Sequence, residues 1–290
     1  MSIPKTGSLS KERRRREIAI DLFSFAAVFI ASLAAIFPIW WIFRSSLMNN
    51  AELYAWPPSL FPKKWLFSNY PQALKNFPFW RYFTNTMIII APSVTAGTAT
   101  ATLCGYTFAR LRFPGKRLLF SLCVGSMLLP TMVTLIPLYI MWARVLHLAD
   151  TYWPLILPFF CGGGAFNIFL IRQFVRTIPT ELDEAALIDG AGHLRILTQI
   201  IVPAIKPAMI VVALLLFIQL WNDLLQQTIY INSTAKFTIA IGLTQFKGSL
   251  YSDWAMVMCA TCMSFLPGVI FYLIGQKQFV EGIVLTGLKN

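Results

Sequence analysis

Four acidic side chains stand close together two thirds of the way along the sequence, at Glu181, Asp183, Glu184 and Asp189. They are four of only twelve acids in the whole chain. Pro179 ends the preceding element and Thr180 is a suitable N-cap, so a helix is predicted to begin here with its acids at the positive end of the helix dipole. Asp183 follows Thr180 by three residues, which predicts an approximate capping box.

The predicted helix has one face of small side chains. The face is formed by residues spaced i, i+3, i+4 and i+7, namely Leu182, Ala185, Ala186 and Asp189. The two alanines make it flat enough for another backbone to come close, and Gly190 and Gly192 break the helix. A short, charged helix of this kind is suited to contact with a partner protein. The alternative is a surface helix that contacts nothing.

A second polar set interrupts an apolar run further along. It is spaced as one helical face and consists of Gln219, Asn222, Asp223, Gln226 and Gln227. Polar residues inside a membrane helix usually face a partner helix or a wet cavity, so this face could offer hydrogen bonds to a hydroxyl-rich solute, with Trp221 as a stacking surface. Asn167, a lone polar residue in another apolar run, is a further candidate. The alternative is that residues 222–228 lie in the outer membrane interface, where polar groups are ordinary.

Composition places the chain among all-α polytopic membrane proteins. Its 290 residues are 57% hydrophobic and 12% charged, with a mean hydropathy of +0.65. The net charge of +12 is explained by basic residues in short loops beside apolar runs, not by nucleic-acid binding. The five cysteines lie in or beside apolar runs and are interpreted as free thiols. No cluster of residues suggests a bound metal, and no P-loop sequence or catalytic constellation is present.

Six membrane spans are expected, over residues 18–43, 82–109, 118–143, 152–175, 207–228 and 254–276. Residues 1–17 form a basic, disordered cytoplasmic segment, and residues 18–290 form the six-span domain with a cytoplasmic loop at 179–206. Both termini are then cytoplasmic, which puts 16 basic residues inside and eight outside. A short helix is expected near residues 68–76, and Gly97, Ala101 and Gly105 predict close helix packing.

Several landmarks together resemble the permease subunits of ABC importers. Glu184-Ala185-Ala186, Asp189-Gly190-Ala191 and the prolines Pro203 and Pro207 are similar to that family's EAA loop. The strings 106–110 and 113–115 resemble its second landmark, and Trp221-Asn222-Asp223 resembles a third. That third motif usually carries a proline after the acid, where this chain has Gln226 and Gln227. The resemblance runs from about residue 16 to residue 290.

The resemblance implies a type I ABC importer permease fold and a place in the maltose-type carbohydrate class. Such a chain forms half of a translocation pathway in the bacterial inner membrane. It pairs with a second permease, which suggests a heterodimer, with two ATPase subunits and with an extracytoplasmic solute-binding protein. ATP and Mg²⁺ are bound by the ATPases, so the chain itself needs no cofactor. Coupling is then assigned to Glu184, Ala185, Ala186, Asp189 and Gly190.

The other class that the sequence leaves open is a secondary transporter driven by an ion gradient. Such proteins usually show internal repeats and ionisable residues near the membrane midplane. Only Asp223 is well placed for that, and no repeat is visible. A secondary transporter also has no need of an acidic cytoplasmic loop. The size of the substrate, its charge, and homodimer against heterodimer stay open at this point.

Overall fold

The computed structural model describes the backbone of residues 6–249 and 253–287, and the side chains of residues 16–246 and 253–276. Every regular element in those ranges is helical. The α-helices, in chain order, are α1 (Thr6–Ser46), α2 (Asn50–Leu53), α3 (Asn69–Asn76), α4 (Phe79–Arg110), α5 (Lys116–Gly125), α6 (Thr131–Ile140), α7 (Trp153–Ile156), α8 (Ala165–Thr177), α9 (Glu181–Ile188), α10 (His193–Ile196), α11 (Val202–Ala204), α12 (Lys206–Trp221), α13 (Leu224–Tyr230), α14 (Ile239–Ser249) and α15 (Trp254–Gly287).

Within the described residues, four stretches are long and apolar enough to cross a membrane, at Arg16–Ser46, Phe79–Arg110, Trp153–Thr177 and Trp254–Gln276. Two bent helix pairs bring the number to six if each pair counts as one span. Lys116–Leu128 meets Thr131–Val145 at 102°, and His193–Ala204 meets Lys206–Trp221 at 80°. The first bend falls at Pro130, which lacks the N–H that a continuous helix would need. The all-helical, polytopic prediction is confirmed, and the count of six agrees with it.

The start of α1 corrects one expectation. Residues 1–17 were expected to be disordered, yet the helix already begins at Thr6. Lys, Arg and Glu are good helix formers, and no residue from Ser8 to Glu17 breaks a helix, so the basic segment continues into the apolar one. The expected short helix near residues 68–76 is present as α3.

The chain divides into two compact units. The first contains residues Met1–Ala73 and Leu250–Cys262. Within it, Arg44 is buried with its guanidinium 3.6 Å from the centre of the Trp41 ring. The side-chain amide of Asn69 donates to the carbonyl oxygens of Ser46 and Met48, both at 2.9 Å. Arg44, one of the eight basic residues expected on the outer side, is therefore part of this unit's packed interior.

The second unit contains residues Leu74–Ser249 and Met263–Asn290, and α4 lies at its centre, packed against α8 and α12. Gly105 allows this because a Cβ there would lie 2.6 Å from Cγ2 of Ile171. Gly163, just before α8, has a φ of +64° and touches Gly97, since a Cβ on Gly163 would lie 2.5 Å from the Gly97 carbonyl oxygen. The small residues of α4 therefore pack closely against neighbouring backbone, as the sequence predicts.

Besides the span over 118–143, which bends at Pro130, two other predicted spans contain breaks. The span over 152–175 consists of α7, a 3-10 stretch Leu157–Cys161, a glycine turn at 162–164 and then α8. The span over 207–228 is interrupted because α12 ends at Trp221 and α13 starts at Leu224. The polar set at 219–227 is therefore not one continuous helical face.

No proline is needed for the second break, because polar side chains cap both sides of it. The carboxylate of Asp223 accepts from the backbone N–H of Gln226 at 3.0 Å, which caps α13. The side-chain amide of Gln227 donates to the carbonyl oxygen of Leu220 at 3.0 Å, near the end of α12, and its own oxygen accepts from the Thr238 hydroxyl. Gln227 is thus a buried structural residue.

Candidate functional site

The acidic helix α9 begins without a capping box. Thr180 has helical backbone angles, φ −72° and ψ −21°, and its side chain makes no capping hydrogen bond. Its carbonyl oxygen instead accepts from the N–H groups of Asp183 and Glu184, at 3.0 and 3.1 Å. The capping-box prediction was therefore wrong. A residue that is already helical is poorly placed to fold its side chain back over the first turn.

The other end of α9 is closed by a glycine cap. Gly190 has a φ of +80°, and its N–H donates to the carbonyl oxygen of Leu187 at 3.0 Å. The N–H of Ala191 donates to the carbonyl oxygen of Ala186 at 2.9 Å. This pair of bonds is the Schellman arrangement, which requires the left-handed conformation that glycine adopts most easily. Gly190 thus has a structural role in ending the helix.

The residues assigned to coupling do not all face one way. Ala186 and Ala191 pack against the unit's own core, beside Ile196 and Ile201. Glu184, Ala185, Asp189 and Gly190 are exposed. The predicted flat alanine face is therefore split, with one alanine turned inward and the other outward.

The outward side of this segment is apolar as well as acidic. Its large exposed side chains are Leu182, Leu187, Ile188 and Leu194, which we call the α9 patch. Ile188 is 87% exposed, and no residue of the patch has more than about half of its surface covered. An apolar group of this kind next to acidic residues is typical of a surface that is covered by a partner.

Arg110, the last residue of α4, contacts the acidic segment directly. Its Nε lies 2.8 Å from Oδ2 of Asp183, and its Nη2 donates to the carbonyl oxygen of Ile178 at 2.7 Å. From the sequence, Arg110 was assigned no partner and was placed only at the end of the string 106–110, which resembles the family's second landmark. The sequence does contain an arginine at a helix end and an acidic helix that could attract it. Sequence alone does not show that the two meet.

A separate cavity of about 450 Å³ lies in the second unit, beside the break between α12 and α13. Its polar lining comes from Gln219, Asp223 and Gln226, and its aromatic walls include Trp142, Phe159 and Tyr230. Trp142 stands in a π-helical turn, Met141–Val145, that follows α6. Trp142 and Tyr230 were not predicted as lining residues, because nothing in the local sequence shows that the loop after α6 approaches α13.

Only two of the five predicted pathway residues line this cavity, Gln219 and Asp223. Trp221 turns away from it and packs on the rings of Phe83 and Phe217. The amide of Asn222 donates to the carbonyl oxygen of Ile218 at 2.9 Å. Asn167 is only 6% exposed and donates to the carbonyl oxygen of Gly163 at 2.6 Å. These last three residues do not line this cavity.

Asp150 joins the connection that precedes α7 to the connection between α13 and α14. Its Oδ1 accepts from the N–H groups of Asn232 and Ser233, both at 2.9 Å, and its Oδ2 lies 3.0 Å from Nζ of Lys236. Burial raises the pKa of Asp150, but the hydrogen bonds from Ser233, Asn232 and Lys236 outweigh that effect and hold the pKa well below its usual range. We call this group the Asp150 clasp.

Comparison with known proteins identifies the family. Residues 97–278 match the family described as binding-protein-dependent transport system inner membrane component. The chain belongs to this family. The permease interpretation of the sequence is confirmed, and so is its multi-pass membrane character. The family's dependence on a binding protein favours the importer over the ion-driven transporter.

Relatives of the permease cover nearly its whole length. It is 31% identical over 281 residues to the probable ABC transporter permease protein YurM of Bacillus subtilis, covering 97% of this chain and 93% of that one. It is 32% identical over 233 residues to the maltodextrin transport system permease protein MdxG of the same organism, covering 79% and 83%.

A solved structure is similar to the permease over most of both chains. It is the crystal structure of a bacterial ABC transporter involved in the import of the acidic polysaccharide alginate. One of its chains is matched with a TM-score of 0.78 and 25% identity, covering 91% of the permease and 97% of that chain. The fold of the second unit and its long helices therefore has a direct experimental counterpart.

Proposed function

We propose that the permease forms half of the pathway for a neutral sugar or oligosaccharide in an ATP-driven, binding-protein-dependent importer. A second permease completes the pathway, and two ATPase subunits bind at the α9 side. Both termini and α9 then lie in the cytoplasm. The similarity to a maltodextrin permease and to the alginate transporter supports a carbohydrate substrate.

The chemistry of the cavity supports the sugar assignment. Gln219 and Gln226 present amide groups that both donate and accept hydrogen bonds, as sugar hydroxyls do. Trp142 and Tyr230 add aromatic surface of the kind that covers the apolar faces of sugar rings. The volume of about 450 Å³ is within the range of small-molecule sites.

The charge of the lining supports a neutral rather than an acidic substrate, and it is the observation on which the proposal rests. Asp223 is the one charged residue among those that line the described cavity, and no lysine, arginine or histidine accompanies it. A carboxylate on the solute would be repelled by Asp223 in a medium of reduced dielectric constant. The permease is therefore proposed to differ in substrate charge from the alginate transporter that it resembles.

The substrate is tested with the complete complex in proteoliposomes, supplied with its own binding protein and ATP. We expect uptake of neutral oligosaccharides, with Gln219→Leu lowering uptake at least tenfold because it removes both a donor and an acceptor. Gln245→Leu, at an exposed glutamine outside the cavity, is the matched control and should not change uptake. Equal uptake of a uronic-acid oligosaccharide would contradict the neutral assignment.

The α9 patch supports the docking of an ATPase. We expect Ile188→Glu to remove the ATPase subunits from the purified complex, because it places a charge in a contact that would otherwise be apolar. Leu60→Glu, at an exposed apolar residue of the 44–81 connection, is the control. Gly190→Asp is a poorer probe, since it would strain the helix cap whether or not an ATPase binds. Retention of the ATPases by the Ile188→Glu complex would refute this docking surface.

A further inference from the structure

We infer that Arg110 and Asp183 form a buried ionic link that makes α4 the element through which movement of α9 reaches the cavity. The inference rests on the proposed docking of an ATPase on α9. It adds a positioning role for two residues, neither of which was among those assigned to coupling.

The two contacts of Arg110 fall on either side of the turn that joins α8 to α9. Nη2 holds the carbonyl oxygen of Ile178, the residue that caps α8, and Nε lies against the carboxylate of Asp183 in the first turn of α9. A planar guanidinium can make two such contacts at once, which a lysine ammonium on a flexible stem does poorly. Displacement of α9 is therefore transmitted to the end of α4 through the two contacts of one planar guanidinium.

The link is shielded from water. The side chains of Arg110 and Asp183 are 8% and 13% exposed. Arg110 Nε and Asp183 Oδ1 have no hydrogen-bond partner among the described residues, whereas Arg110 Nη2 donates to the carbonyl oxygen of Ile178. Each charge depends on the other, because a buried charge without a partner is strongly unfavourable. The link should therefore persist when α9 moves.

The remaining described contacts of α9 are of another kind. Ala186 packs against apolar core residues, and small apolar contacts can slide. Within the part of the chain with described side chains, Asp183 is the only acid of the segment that forms an ion pair, while Glu181, Glu184 and Asp189 form none. The charge at position 183 thus points inward, to α4, and the others remain available outward.

Further along α4, away from Arg110, the helix contacts the wall of the cavity. The hydroxyl of Thr100 accepts from the N–H of Gly162 at 3.1 Å. The same oxygen lies 2.7 Å from the carbonyl oxygen of Ala96 in its own helix and 3.0 Å from that of Phe159, a lining residue. Thr100 lies ten residues before Arg110 on the same helix, about 15 Å along its axis. One rigid helix therefore connects the ionic link at one end to the 3-10 segment that lines the cavity.

The test compares coupling in complexes of matched ATPase content. Solute transported per ATP hydrolysed is measured in proteoliposomes for Arg110→Met, Asp183→Asn and the exchanged pair Arg110→Asp with Asp183→Arg. We expect the ratio to fall at least tenfold in each single variant and to recover to at least a third of the unmodified value in the exchanged pair. Arg112→Met, at an exposed charge nearby, is the control and should retain the normal ratio.

The outcomes separate this inference from the docking proposal. If single variants retain their ATPases and a normal ratio, or if the exchanged pair is no better than the singles, the link does not transmit movement. If the single variants do not fold, Arg110→Lys is measured instead, because it keeps the positive charge but loses the simultaneous contacts with Ile178 and Asp183. An intermediate ratio there supports the link, and a normal one overturns it. If the unmodified complex contains no ATPase, the docking proposal fails first.

Discussion

The two segments that join the long helices at opposite ends of α4 are held in contrasting ways. At the Arg110 end, one ion pair and one hydrogen bond hold the turn before α9. At the Phe79 end, the 231–239 segment is held by the Asp150 clasp and by the amide of Asn85, which donates to the carbonyl oxygens of Ala235 and Phe237, both at 2.9 Å. The first attachment is buried and made through the side chain of one residue, Arg110, while the second is partly exposed and made of many bonds.

The contrast suggests different mechanical behaviour. A segment held by several hydrogen bonds and a partly exposed ion pair loses a little stability with each bond that is removed. A segment held by one buried ion pair either keeps its position or loses it, because half of the pair is worse than none. The first arrangement suits a segment that must remain in place, and the second suits one that must move together with its neighbour.

Breaking the buried pair should give the largest effect. We expect Arg110→Met to destabilise the permease by about 3–5 kcal/mol, because Asp183 is left as an uncompensated buried charge. The double variant Arg110→Met with Asp183→Leu should recover most of that loss by removing both charges. Thermal unfolding of the detergent-solubilised complex measures both. If the double variant is as unstable as the sum of its single variants, the two charges are not coupled.

Removing a buried hydroxyl at the other end should have an intermediate effect. Thr238→Val takes away the donor to the side-chain oxygen of Gln227, so we expect a loss of about 1–3 kcal/mol. Thr244→Val, at an exposed threonine of α14 whose hydroxyl bonds only to its own helix, is the control. Hydrogen exchange at residues 224–239 measures the loss. Equal protection in Thr238→Val and its control would show that this bond adds nothing to the attachment.

The Asp150 clasp should give the smallest effect and a pH dependence. The folded-state pKa of Asp150 lies below the unfolded value of about 3.9, so its stabilisation is present above that pH and is lost as the pH falls through the folded value. We expect Asp150→Asn at pH 7 to increase hydrogen exchange of residues 232–236 about fivefold, equivalent to about 1 kcal/mol. Lys236→Ala should do less, since that side chain is 40% exposed. An unchanged exchange rate in Asp150→Asn would show that the Asp150 clasp does not stabilise this segment.

Much of the architecture was predictable because lipid imposes a strong pattern on sequence. Apolar runs of about 20 residues identify long helices whatever their neighbours are. The small residues of α4 likewise have few interpretations other than close packing, and Gly97 and Gly105 are both used in that way. The position of the polar loop at 179–206 was predictable from its composition.

The sequence was less informative where a side chain chooses between local and distant partners. Asp183 was assigned to its own helix cap and instead pairs with Arg110, 73 residues away. Asp223 and Gln227 were assigned to one helical face, yet they cap and bridge a break in the helix. Local spacing cannot show such choices, because the partner's position is set by tertiary packing.

The contact between Gly163 and Gly97 has a consequence for how the permease can evolve. A side chain at position 97 would meet first the end of Leu216, which another substitution can shorten. A side chain at position 163 would meet the carbonyl oxygen, carbonyl carbon and Cα of Gly97, which every amino acid possesses. Replacement of the glycine at position 97 can thus be compensated by a smaller side chain at position 216. No substitution at position 97 makes room for a side chain at position 163. In descendants of this gene, position 97 should drift before position 163 does.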